Sequence, residues 1–316
     1  MRSFLGTLLI DQWLIPLASL LCITFTACNN NLPIIQEEQN RPITFIQKSF
    51  STKTGLESLD LGKTLGVLAY NLKLRENNKE TFDENAIPNF MYDQLMEVAI
   101  AGQLTYSPIK YWPSNPNDKI KFFAYSPHSS EANGTITPSS ATAKGYPTIS
   151  YTLSEDISKQ VDLLMAVTAP LNSGPVSLNF KHALTQVSFS AKYINNSSSQ
   201  KVVITSMKLS GVPNKADCIF TDTGFQWTNT SVTQEYILFE NKEIPIGGSF
   251  VNVTDPLYFI PLPESSTAPK LNIELTLGDN QKKTQRDLTG NWSAGKDTNY
   301  QLTIDVDKIT LNAFSL

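Results

Sequence analysis

The sequence predicts an all-β protein of two tandem antiparallel β-sandwich domains, and three observations carry that expectation. Apolar residues recur at alternate positions over short runs, the pattern of a half-buried strand. The runs are bounded by Pro, Gly, Asn or Ser, which punctuate turns. Hydrophobic residues make up 41% of the chain and aromatic ones 10%, against 17% charged, so there is enough apolar side chain to fill substantial cores.

Residues 43–46 open the first strand. Residues 64–70 form a second, with Leu65, Val67 and Ala69 on one face. The pattern continues at 119–125, 147–153 and 162–167. In residues 89–99 the positions of Phe90, Met91, Leu95 and Val98 fit a helical stripe no worse than an extended one, and that segment stays open. Residues 126–145, rich in Ser, Thr, Ala and Asn, form the one long irregular region, a functional or mobile loop by its length. After a turn signal at 170–175 the strands resume at 176–180, 187–191 and 202–207. The boundary is therefore expected between an N-terminal domain, 43–172, and a C-terminal domain, 173–316. Further strands fall at 236–239, 257–260, 271–277 and 300–306, with a hairpin turn at 278–281.

Ahead of the domains, residues 13–27 are apolar but short of the roughly 20 residues that span a bilayer. Small Thr26 and Ala27 precede Cys28, as a signal peptidase requires. The stretch resembles a lipobox, with Phe25 where Leu is commoner. Residues 1–27 are expected to be a lipoprotein signal peptide, Cys28 the lipidated first residue, and 28–42 a flexible tether. Cys22 then leaves with the leader and Cys28 is acylated, so Cys218 has no disulfide partner. Its apolar neighbours Ile219 and Phe220 mark it as a buried, inert thiol.

Little points to catalysis. The only histidines are His128, expected to be solvated in the irregular region, and His182, expected to be a bonded structural residue. No nucleophile elbow, phosphate loop or cluster of metal ligands is visible, and neither metal nor cofactor is expected. Asp305 and Asp307 share one strand face, more commonly a solvated face than a calcium site. The net charge is −4 and the four arginines, at 2, 41, 75 and 286, are scattered, so there is no nucleic-acid footprint. Tyr111, Trp112, Trp227 and Trp292 could stack on sugars, although aromatics more often fill sandwich cores.

Five segments in order resemble the fimbrillin-like proteins of Bacteroidetes. They are Gly66 to Asn71, Tyr111 to Pro113 with Ile120 to Pro127, Asp162 to Ala166, Val176 to Val187, and Trp292 to Gly295 with Tyr300 to Leu302. The resemblance runs from about residue 43 to the C-terminus. It implies two transthyretin-like sandwiches in a lipoprotein carried to the outer membrane, where it serves as subunit, anchor or tip of an adhesive pilus. The implied partners are other pilus subunits, joined by strand addition, the outer membrane through the lipid, and a host or bacterial surface receptor. The alternative is a glycan-binding surface lipoprotein of a nutrient-uptake system.

In that family a trypsin-like protease cuts after an arginine in the loop behind the first strand. The corresponding loop here, 51–63, holds Lys53 and Lys63 and no arginine. The cut thus moves to Lys53 or Lys63, or the protein is an uncleaved anchor or a relative outside pili. At the other end Ile309, Leu311 and Ala313 alternate on one face, as in a strand seeking an apolar groove. They form either the last strand of their own domain or a strand donated to a neighbour, and donation is the expectation.

Overall fold

A computed structural model describes residues 41–48, 50–52, 55–57, 59–60, 62–72, 82–194, 201–244, 249–262 and 267–315. All lie in the unit Asn40–Leu316. The first strands are β1 (Phe45–Lys48), β2 (Phe50–Thr52), β3 (Gly55–Glu57), β4 (Thr64–Leu72), β5 (Met91–Val98), β6 (Gln103–Thr105) and β7 (Lys119–Ser126). Next come β8 (Ile136–Pro138), β9 (Thr148–Thr152), β10 (Leu164–Val167), β11 (Val176–Asn179), β12 (Lys181–His182), β13 (Thr185–Tyr193) and β14 (Val202–Phe220). The last are β15 (Phe225–Ile244), β16 (Val251–Asn252), β17 (Leu257–Phe259), β18 (Lys270–Leu277), β19 (Asn280–Asp287), β20 (Asp297–Ile304) and β21 (Ile309–Ser315).

Eight strands form the first sheet, in the order β11-β1-β6-β5-β4-β7-β10-β12. Its outermost strands, β11 and β12, are separated in the chain by Phe180 alone. Asn179 and Lys181 can stand no more than about 7 Å apart, so the two ends of the sheet meet and it rolls into a tube. Closure explains the composition of β4 and β7: every residue from Thr64 to Tyr70 and from Ile120 to Ser126 is buried. Leu65, Val67, Ala69, Phe122 and Ala124 point into the tube, as the shared face read from the sequence requires. Leu68, Tyr70, Phe123 and Tyr125 point outward into a second, larger core. The open segment 89–99 resolves as strand β5, whose helical look comes from a bulge opposite Val67 and Ala69 that breaks its alternation.

The second core is closed by two further sheets. In one, β13 pairs in parallel with β20, with β16 and β17 along its other edge, and β21 follows β20. In the other, β14 pairs with β15 along its length, while on its opposite side β18 runs beside Val202–Ser210 and β9 beside Lys215–Ile219. One strand of 19 residues thus serves two neighbours. A break in register between Leu209 and Val212, with Gly211 at φ +82, marks the changeover.

The sheets do not divide at 172/173. From the N-terminal side, β8 and β9 join β14; from the C-terminal side, β11 and β12 pair with β1 and β10. A strand needs a free edge rather than a sequence neighbour, and the tube is completed by whichever strands reach its open sides. Phe220, at the end of β14, meets Phe123 at 5.2 Å between centroids, so the tip of the long hairpin covers the outer wall of the tube.

Candidate functional site

The first strand sits at the seam of the tube. β1 pairs in parallel with β11 over four residues, but with β6 only through Phe45↔Leu104 and Ile46↔Gln103. Just ahead of it the Ile43 N–H donates to the Lys110 carbonyl (2.8 Å) and the Trp112 N–H to the Arg41 carbonyl (2.9 Å), so the β6 side is its weakly paired edge, while its side chains go deep. Ile43 and Phe45 are each 1% exposed, and the Phe45 ring meets Phe122 edge-on at 5.3 Å and Tyr106 at 5.5 Å. Taking β1 away would leave a slot between β11 and β6 with unpaired backbone groups on both walls and apolar sites two residues apart.

Behind it, β2 and β3 pair with each other and with no other described strand. Lys53, between them in sequence, lies outside the described residues, as do Cys28 and the leader. Lys63 is exposed, but its backbone is engaged: its N–H donates to the Asp60 carbonyl (3.1 Å), and its carbonyl accepts from Val98 (2.9 Å). Neighbouring Gly62 also donates to the Val98 carbonyl at 2.9 Å. A protease needs extended, free backbone, so cleavage at Lys63 requires these bonds to open first.

At the C-terminus, β21 pairs with β20 from Ile304↔Ile309 to Thr298↔Ser315, and β20 is its only partner among the described strands. Ile309 is buried, Leu311 half-buried, and Ala313 and Phe314 exposed. Arg286 on β19 donates to the Ile309 carbonyl at 2.9 Å, and Lys282 donates to the Val306 carbonyl. In this chain the segment is the edge strand of its own sheet, held on one side.

The two histidines and the buried lysine are engaged by neighbouring groups. Contrary to expectation, His128 is buried, 8% exposed, because residues distant in sequence close over it. Its Nδ1 accepts the Ser130 N–H (3.1 Å), which leaves the ring proton on Nε2, 3.3 Å from the Asp93 carbonyl oxygen. Ser130 Oγ stands 2.7 Å from Nδ1 and Asp93 Oδ1 3.5 Å from Nε2, an order reminiscent of a nucleophile, base and acid. The amides around it are spent: Ser129 donates to the Tyr125 hydroxyl, Glu131 to the His128 carbonyl and Ala132 to the Ser129 carbonyl. None of them is left to hold an oxyanion. His182 is bonded as expected, with Nδ1 2.5 Å from Asp162.

Lys121 is buried, 3% exposed, with Nζ 2.9 Å from the Asp222 carbonyl and 3.0 Å from its carboxylate. A hydrogen bond from Tyr146, then the Lys121 ammonium, hold the Asp222 carboxyl below its usual range. The pair pins the β14–β15 turn onto β7. Cys218 is fully buried, and burial pushes its thiol well above the ordinary range. Trp112 and Trp292 are buried, and the Trp227 indole donates to the Ala183 carbonyl at 2.7 Å. Of the proposed sugar platforms only Tyr111 is exposed.

The whole arrangement has known counterparts. The fold is similar to that of a fimbrial protein from Bacteroides vulgatus, with a TM-score of 0.68 and 22% identity, over 88% of this chain and 99% of that one. It is also similar to candidate cell adhesion proteins from Bacteroides uniformis (TM-score 0.55, 17% identity, 87% of this chain and 98% of that one) and Bacteroides ovatus (0.55, 16%, 87% and 96%). Among curated proteins none matches. Residues 57–314 match the fimbrillin-like family, so the chain, from the hairpin behind β1 to the edge strand β21, belongs to that family.

Proposed function

We propose that this protein is a non-enzymatic component of an adhesive pilus on the bacterial surface, made as an outer-membrane lipoprotein anchored through Cys28 and joined to its neighbours by strand addition. The observation that carries the reading is the seat of β1. A strand paired over four residues with β11 but over only two with β6, and filling the tube with Ile43 and Phe45, is one whose loss creates a specific vacancy. Cleavage in the loop 51–63 severs it from the rest of the chain, and a strand from a neighbouring subunit takes its place between β11 and β6.

The entering strand must offer apolar side chains two residues apart. Residues 309–313 do so through Ile309, Leu311 and Ala313, and in their own chain these bury one side chain fully and one by half. Electron microscopy of cells with and without the protein tests the reading: loss or alteration of filaments supports it, and unchanged filaments reject it. The lipid anchor is tested separately by labelling with a palmitate analogue, where undiminished label in Cys28→Ala excludes acylation at that residue.

A further inference from the structure

We infer that Gln47 is a clasp that holds β1 in its seat after the chain has been cut behind it, an inference that rests on the proposed removal of β1. The Gln47 side chain pairs with one residue as a neighbouring strand would. Its Nε2 donates to the Leu59 carbonyl and its Oε1 accepts the Leu59 N–H, both at 2.8 Å. Between these two residues the chain makes a closed excursion, whose strands β2 and β3 pair only with each other among the described strands.

Both halves of the clasp are themselves fixed. Leu59 packs, partly buried, against the core inside the tube. On the opposite side Gly102, at φ +71 in the turn between β5 and β6, comes so close that a Cβ there would stand 3.3 Å from Gln47 Cγ. The glutamine thus lies between the hairpin turn and the returning chain. A cut anywhere in residues 48–58 breaks no contact of β1 with the tube and leaves this two-point pair intact across the gap.

Cleavage and release then become separate events. The nicked protein keeps Ile43 and Phe45 out of water until the clasp opens, so the vacancy is created when an incoming strand displaces β1 and not when the protease acts. A cut after Lys63 behaves differently, because Leu59 then departs on the same fragment and the clasp no longer links the two pieces.

The test follows the fragment. Soluble protein spanning residues 29–316 is nicked with trypsin under native conditions, and species cut within 48–58 are identified by mass spectrometry. A parallel protein carrying a site-specific protease sequence in place of Lys53 and Thr54 guarantees a cut there. Size-exclusion chromatography over time then reads how fast the N-terminal fragment leaves. The wild-type fragment should co-elute with the body, and Gln47→Ala should release it about tenfold faster, as the loss of two partly buried hydrogen bonds predicts. Gln47→Glu, which cannot donate to the Leu59 carbonyl, should also release it faster, while the melting of both uncut variants stays close to wild type. Equal release rates for wild type and Gln47→Ala, or a wild-type fragment already gone at the first time point, overturn the inference. Filament formation by the nicked protein is scored independently, and its failure counts against strand addition while leaving the rate comparison intact.

Discussion

The ring of Tyr125 lies against Gly66 so closely that a Cβ at residue 66 would stand 2.4 Å from it. The tyrosine hydroxyl donates to Asp93 (2.5 Å) and accepts the Ser129 N–H (3.3 Å). β4, β5 and the turn holding His128 are thereby tied through one side chain. Gly66→Ala should destabilise the protein by about 3 kcal/mol, because neither ring nor backbone can retreat in a sheet buried on both faces. Tyr125→Phe keeps the ring and loses only the hydroxyl bonds, so it should cost about 1–2 kcal/mol. Urea unfolding of both variants checks the order, and an equal cost would show that packing against Gly66 is not the larger contribution.

The Lys121–Asp222 pair predicts a pH dependence with a definite sign. The folded-state carboxyl is held below its unfolded value, so its stabilisation is complete above about pH 5 and disappears as the pH falls through the folded pKa. Because the Asp222 side chain is 65% exposed, Asp222→Asn should cost no more than about 1 kcal/mol at neutral pH. The difference between wild type and variant should shrink on acidification. A gap that widens in acid would mean that the carboxylate does not stabilise this contact.

Cys218 should be chemically quiet. A fully buried thiol whose pKa is raised by desolvation presents almost no thiolate at neutral pH. Native protein should react with thiol reagents only as fast as it opens, and Cys218→Ala should cost at most about 2 kcal/mol. Rapid labelling without denaturant would contradict the burial.

Trypsin should cut the folded protein first within residues 48–58 and only later at Lys63. The reason is the backbone engagement of Lys63 with Asp60 and Val98, against a hairpin that pairs only with itself among the described strands. Fragment masses from a time course decide the order: a first cut at Lys63 would contradict the protection by its backbone bonds, and a first cut in the C-terminal half would remove the basis for a separable first strand.

Deleting residues 309–316 should cost about 3 kcal/mol, since it removes one buried side chain, Ile309, and half of another, Leu311. The monomer should still melt cooperatively but lose the ability to join its neighbours. Collapse of the monomer on truncation would make β21 an integral strand of its own sheet and no donor.

How much of this was legible depended on where each residue's partners lie. The strands around Leu65, Phe122 and Leu275 announce themselves because apolar residues mark both buried and half-buried faces. Of β14 the alternation marks only Val202–Met207, because Gly211 and Pro213 interrupt it; in the fold they mark the changeover between β18 and β9. β19 carried no hydrophobic signal at all. It is an edge strand whose side chains pair across to β18, as Lys283 with Glu274 at 2.8 Å and Gln285 with Asn272 at 2.7 Å. His128 looked solvated among small polar residues, since Asp93 and Thr64, which help bury it, are remote in sequence. The Gln47–Leu59 pairing was equally invisible, as no residue type marks a glutamine that completes a bridge.

Strand addition itself is tested most directly by trapping it. Leu104 faces the seat of Phe45 across β6, and Leu311 lies at the middle of the proposed donor segment. Filaments sheared from cells expressing Leu104→Cys with Leu311→Cys, in a Cys218→Ala background, should run as a ladder of covalent multimers on non-reducing gels and collapse to monomer on reduction. Each single cysteine variant should remain monomeric. Monomers alone from the double variant, in filaments that still contain the protein, would contradict assembly through the vacated seat of β1.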